Sequence, residues 1–404
     1  MTKGIDDLRP ERLEQLLSMR GLTKGQLASL VGVAASTVTK WCKGDQSPEA
    51  ETFERLASVL NVKSEWLTRQ PMKSVSWPFF RSNASALKSG REKLEARATM
   101  LQEVAVLLSE YVEFPRLNLP ARRFASADQI TSADIESAAD ECRSLWQLGK
   151  GPIQDLLLAA EGAGIVVVRE ETEIPVIEGL SCWSEELGGR PLIHLSADKA
   201  NAFRSRFDLA HEIGHLVLHR HLPPSPDKEG YNLMESQAHQ FAGALLLPAQ
   251  TFADEVRLPV NLDSLLILKQ RWGVSVAAML MRLHALRILS DDGKMALFKR
   301  RSARWGAKSE PGDQAWTPEK PRLLRRSIEL LVGEGVLSAE RIPYFLGTSP
   351  LDIEKLCHLR DGYFEVPSQV MDLAMLRDEK ARDGRQSGTT RSSGDVIDFQ
   401  RFRR

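Results

Sequence analysis

The sequence predicts a mainly α chain with one small β-sheet: a five-helix N-terminal module, an α+β central domain and a helical C-terminal region. Three observations predict it. Short apolar patterns at helical spacing, separated by tight turns, fill residues 8–70. Only a few stretches, among them Gly164–Arg169, Gly179–Trp183 and Pro191–Leu195, read as strands, and the last two bracket a Gly188-Gly189 turn as a hairpin. At 404 residues the chain exceeds one ordinary core and divides into several domains.

The elements follow in order. Residues 8–70 form the first module and residues 71–130 a linker with one long helix. The linker stretch Lys73–Gly90 holds Trp77, Phe79 and Phe80, so it is expected to dock rather than stay free. Lys88–Tyr111 carries Leu94, Leu101, Val104, Leu107, Leu108 and Tyr111 on one stripe, and Pro115 and Pro120 end it. The central domain spans 131–290. It opens on a helix over Ser132–Leu148, capped by Thr131 or Ser132, and a second over Ile153–Glu161. The strand and hairpin follow, then helices at Ala202–His219, Leu233–Leu247, Leu262–Trp272 and Ser275–Leu289. Residues 291–377 form a helical C-terminal region, charged and irregular beyond 300, with helices over Pro321–Gly333 and Ser338–Leu346. Residues 378–404, rich in Arg, Asp, Gly and Ser, have little to bury and read as a disordered tail.

Bulk properties remove several functions. Lys+Arg and Asp+Glu are both 54, so no overall field draws the chain to nucleic acid or membrane, and any such contact is local. Cys42, Cys142, Cys182 and Cys357 are far apart, which argues against a cysteine zinc site. The N-terminus has no apolar core of a secretory leader and no apolar run can span a bilayer, so a cytoplasmic location is expected.

Within the first module, Leu27, Ala28 and Val31 form one apolar face, Gly32-Val33 a turn, and Val38 and Trp41 the inward side of the next helix. With Gly44 and Pro48 this spacing resembles the Xre/Cro-type helix-turn-helix over residues 8–70. The resemblance implies a double-stranded DNA operator as partner and a helix over Ala35–Lys43 in the major groove. By that geometry Ala35, Ser36, Thr39 and Lys40 face base edges, and Lys24 and Lys43 lie near phosphates. Ten Lys/Arg against nine Asp/Glu in residues 1–70 is a small excess for a DNA-binding unit, and a protein-interaction role is the competing reading. A single such module binds weakly, so a homodimer is expected.

The stretch FDLAHEIGHLVLH, Phe207–His219, carries the chemistry. His211 and His215 lie one helical turn apart and can share one Zn²⁺, while Glu212 beside them can take a proton from a water that the metal acidifies. His219 lies on the same helix, but His211 and His219 are about 12 Å apart along its axis, too far for one tetrahedral site. A histidine near the C-terminal dipole is the simpler reading of His219. His194 in the hairpin reads as a plain strand residue more readily than as a substrate contact. The next helix offers Glu235 and His239, and Glu235 as ligand with His239 behind it resembles the gluzincin plan. His239 can instead compete for the metal. Two histidines and one glutamate favour zinc.

The pair F-x-x-A-H-E-x-G-H and E-x-x-A-x-x-F-A-x-x-L-L-x-P, here Phe207–His215 and Glu235–Pro248, resembles the ImmA/IrrE metallopeptidase family over about residues 130–290. The resemblance implies an α+β gluzincin-like peptidase domain with His211, His215 and Glu235 as metal ligands and Glu212 as catalytic base. It also implies intracellular cleavage of a protein substrate such as a repressor or antitoxin during stress. The rival expectation is a non-enzymatic repressor or antitoxin whose zinc domain is a sensor or protein-binding module. A further possibility is self-cleavage within Lys73–Gly90, and the hairpin edge is suited to aligning an extended peptide by strand addition.

Overall fold

A left-handed residue closes four of the five helices of the first module. α1 (Pro10–Arg20) starts on a proline, which needs no partner for its missing N–H. α2 (Lys24–Val31) opens on a reciprocal capping box between Thr23 and Gln26 and closes at Gly32, whose φ of 78° makes the turn. α3 (Ala35–Lys43), α4 (Ala50–Leu60) and α5 (Ser64–Thr68) complete it around Leu27, Val31, Val38, Trp41, Leu56 and Leu60. The structure, a computed structural model, describes residues 7–73, 75–82, 88–174, 177–223, 227–306 and 309–365. The expected tail 378–404 lies outside the described residues.

The first correction comes in the stretch read as a linker. Ser76–Ser82 is a strand, β1, ahead of α6 (Lys88–Ser109). Next come α7 (Ser132–Leu145), α8 (Leu156–Gly162), β2 (Val166–Glu170), β3 (Ile177–Ser184), β4 (Arg190–Ser196), α9 (Ala202–Leu218) and α10 (Lys228–Leu246). α11 (Ala249–Glu255), α12 (Leu262–Trp272) and α13 (Val276–Ala285) follow. α14 (Asp291–Trp305) runs straight across residue 300, where the sequence reads as irregular. Its charge misleads because Arg301 is spent on a buried pair with Glu310. α15 (Leu323–Gly333), α16 (Arg341–Leu346) and α17 (Pro350–Leu356) finish the described chain.

The sheet has the order β1-β3-β4-β2, with β3 antiparallel to both neighbours and β2 parallel to β4. All of β2 is buried, as in a strand covered on both faces. Alternate residues serve two cores. Val166, Val168, Leu180, Cys182 and Leu192 join a cluster with α1–α6 and α15–α17. Val167, Trp183, Ile193 and Leu195 join a second with α7–α13 and Leu297 of α14. The sheet therefore lies between two helical layers, and α9 and α10 belong to the second.

The C-terminal helices, read as packing or a partner surface, pack on the first module. The Lys63 backbone N–H donates to Gly347 O at 2.9 Å, and Asn61 Nδ2 donates to Ser349 Oγ at 2.9 Å. Arg12 of α1 pairs with buried Glu103 of α6, and Trp66 Nε1 donates to the other oxygen of Glu103 at 3.1 Å.

Candidate metal centre

α9 is anchored through its N-terminal turns. Asn201 caps it by accepting from the Arg204 N–H, and the Arg206 guanidinium donates to Ile153 O and Gln154 O at 2.8 and 2.7 Å. Nearly every residue of the helix is buried, including His211, Glu212, His215 and His219. α10 crosses it closely at Gly214: a Cβ there would lie 3.1 Å from the Phe241 ring and 3.2 Å from Ala238 backbone atoms. That approach brings Glu235 over the two histidines.

Donor atoms of three residues converge. His215 Nε2 lies 3.0 Å from His211 Nε2 and 3.1 Å from Glu235 Oε1, and His211 Nε2 lies 3.5 Å from Glu235 Oε2. Ligands about 2.0 Å from a tetrahedral centre are about 3.3 Å apart, so these separations fit one zinc-sized ion. His239 joins the group from the exposed side. One donor atom each of His211, Glu235 and His239 falls within 4.8 Å of the others. The His239 ring stands edge-on to His211 at 4.4 Å, and its Nδ1–H donates to Glu235 O at 2.7 Å. This contact is to the Glu235 backbone and not to its carboxylate, while the grouping with His211 and Glu235 matches the competing-donor expectation for His239.

A buried chain of hydrogen bonds stands behind His215. Gln237 Nε2 donates to Ala127 O at 2.6 Å, which turns its Oε1 toward His219 Nε2, 3.1 Å away. With that proton on Nε2, His219 Nδ1 accepts from His215 Nδ1–H at 2.9 Å. His215 Nε2 then presents a lone pair to the donor cluster, as a metal ligand must. Burial, and next the nearness of His215, push the His219 imidazole down to about 3, so it stays neutral and able to accept. His219 is the C-cap residue of α9, at the helix end where the sequence reading puts it, and its ring also accepts from His215. Sequence reasoning named His219 without this role and did not name Gln237. The i, i+4 spacing from His215 was the signal for His219, and nothing marked Gln237.

Glu212 is fully buried and faces β3. A Cβ on Gly179 would lie 2.7 Å from Glu212 Oε1, so only glycine leaves that carboxylate its place. His194 belongs to the other side of the sheet. It shares a strand face with Leu192 of the first core, and its Nε2 lies 2.9 Å from Glu170 Oε1, close but bent away from good hydrogen-bond geometry. A cavity of about 1290 Å³ opens beside the centre, lined by Phe207, Ser236, His239, Met281 and His284 among others. It shares His239 with the donor group but does not reach His211, Glu212 or His215.

Of the residues expected from the sequence to face DNA, Ala35, Ser36, Lys40 and Lys43 are exposed on α3, and the Thr39 hydroxyl donates to Ala35 O at 2.9 Å. Lys24 starts α2, with Nζ 3.3 Å from Glu14. None of them lies on the α1 and α5 side that meets α6.

Comparison with known proteins agrees with this division. Residues 160–284 match the family model of the IrrE N-terminal-like domain, a peptidase family, and residues 13–67 match a helix-turn-helix family. An uncharacterized HTH-type transcriptional regulator of Haemophilus influenzae is 26% identical over 153 residues, covering 35% of this chain and 61% of that relative. The match thus spans less than two thirds of the relative's length. Among the described residues no helix is long and apolar enough to cross a membrane.

Proposed function

Since the chain joins a helix-turn-helix domain to an IrrE N-terminal-like peptidase domain, we propose that it is a DNA-binding transcription regulator that is also a zinc-dependent endopeptidase. The observation that carries the reading is the convergence of His211, His215 and Glu235 donor atoms at tetrahedral spacing beside buried Glu212. The substrate is a protein, of the repressor or antitoxin kind, and stress is the occasion for cleavage. The regulator acts as a homodimer in the cytoplasm.

Zn²⁺ bound by His211, His215 and Glu235 would acidify a water and polarise the substrate carbonyl. The protein supplies the rest. Glu212 takes the proton of the attacking water and returns it to the leaving amine as the C–N bond breaks. Its burial against Gly179 keeps bulk water from competing for that proton. The His219–Gln237 chain keeps His215 oriented throughout. The exposed face of α3 reads an operator through Ser36, Thr39 and Lys40, with Lys24 and Lys43 on phosphates.

The second reading is a regulator whose zinc domain senses or binds without turnover, and the relative's description as a transcriptional regulator favours it. Glu212→Gln separates the two, because it keeps size and fold while removing the base. New protein N-termini are mapped in cells under DNA damage that express wild type or the variant. We expect termini found only with wild type, reflecting a loss of about 10²-fold or more in the variant. Identical termini across several stresses would establish the non-enzymatic regulator.

A further inference from the structure

The sheet gains its outermost strand from outside the domain. β1 lies between the first module and α6, yet it pairs antiparallel along β3, with Phe79 opposite Ser181, Phe80 opposite Leu180 and Arg81 opposite Gly179. Gly179 is the residue whose α-carbon approaches the Glu212 carboxylate. β1 thus lies one strand spacing, about 4.8 Å, outside the strand that abuts the candidate base. Without β1, β3 would be a sheet edge with free N–H and C=O groups beside the site, the form of surface that captures extended peptides by strand addition.

β1 is also a weak strand. Pro78 has no N–H to give the ladder, and prolines are confined to edges and irregular positions. The register shifts between Ser76 and Phe79, around that proline, and again between Arg81 and Ser82. A strand that holds a proline and two register irregularities is readily exchanged for another chain.

We propose that the outer edge of β3 is the peptide-docking edge of the metal centre and that residues 76–82 are its intramolecular occupant. An incoming extended segment binds antiparallel to β3 in exchange for β1. The inference rests on the peptidase reading for its purpose, but the docking edge can be tested without turnover.

The test uses the full chain in a Glu212→Gln background and a fluorescein-labelled peptide, VSWPFFRS, copied from residues 75–82. Three forms are titrated. One keeps β1 as it is. One carries Phe80→Pro, which puts a second proline into the strand. One carries Phe79→Cys and Ser181→Cys, whose Cα atoms, facing across an antiparallel pair, lie within disulfide range. The expected result is binding about tenfold or more tighter to Phe80→Pro than to the unaltered strand, each tenfold being about 1.4 kcal/mol. The oxidised lock should abolish binding, and reductant should restore it. Equal affinity for all three forms would overturn the proposal, and so would binding that the closed lock leaves intact, even if Phe80→Pro fails to fold. Repeating the titration with Glu212 restored separates the two readings. Peptide that binds in the expected order but is never cut leaves the docking edge standing and removes the peptidase. Cleavage with no order of affinity does the reverse.

Discussion

His215 is useful as a ligand only in the tautomer that leaves Nε2 bare, and that choice is made two side chains away. Gln237 is fixed by backbone carbonyls, so its oxygen can accept only from His219, and His219 can then only accept from His215. A leucine at 237 keeps volume but frees His219 to flip and share its proton differently. We therefore expect Gln237→Leu to bind zinc about 10- to 100-fold more weakly than wild type, with Glu212 and the ligands untouched. Competition against a chromophoric chelator gives the number directly. An unchanged zinc affinity would mean that packing alone orients His215. The histidines and Glu212 were legible in the sequence because their spacing is local. Gln237 was not, since its role depends on the Ala127 carbonyl, 110 residues away in the chain.

At the level of elements, the centre depends on how closely α10 approaches α9. Gly214 sets that distance, and two competing effects act on Gly214→Ala. Alanine favours a helix over glycine by about 1 kcal/mol. Against this, the new methyl would meet the Phe241 ring and the Ala238 backbone at 3.1–3.2 Å. Overpacking of this kind costs about 1–3 kcal/mol, and backbone cannot swing aside as a side chain can. The second effect should win. Gly214→Ala is expected to lower Tm by a few degrees and to weaken zinc binding, because Glu235 moves out with α10. A Tm at or above wild type with unchanged zinc affinity would refute this account. These two helices were readable beforehand from their 3.6-residue apolar pattern. α10 nonetheless begins at Lys228, five residues earlier than its apolar stripe suggests, because Asp227 caps it. β1 was unreadable as a strand for a physical reason: Pro78 contradicts the local pattern, and its pairing partner lies about a hundred residues on.

Across the whole molecule, the face of the sheet opposite the metal centre is tied to the first module by buried charge. Arg20 of α1 donates to Asp352 of α17 at 2.8 Å, Arg97 of α6 bridges Asp352 and Glu170, and Glu170 of β2 lies against His194 of β4. Burial alone would raise the Glu170 carboxyl, but His194 and Arg97 overcome it and hold it down to about 2, from an ordinary 4.5. A folded-state value below the unfolded one stabilises the protein fully above about pH 4.5. That contribution drains away as pH falls toward about 2. Glu170→Gln cannot titrate, and it also leaves Arg97 with Asp352, 3.6 Å away, but without its closer anion, so the variant begins less stable near neutrality by up to about 3–5 kcal/mol. Its stability should then fall less steeply than that of wild type across the acid range. Melting followed by circular dichroism at a series of acid pH values measures both slopes. Parallel slopes would show that Glu170 titrates alike in the folded and unfolded chain, and that its pairing with Arg97 and His194 carries no acid-sensitive stability.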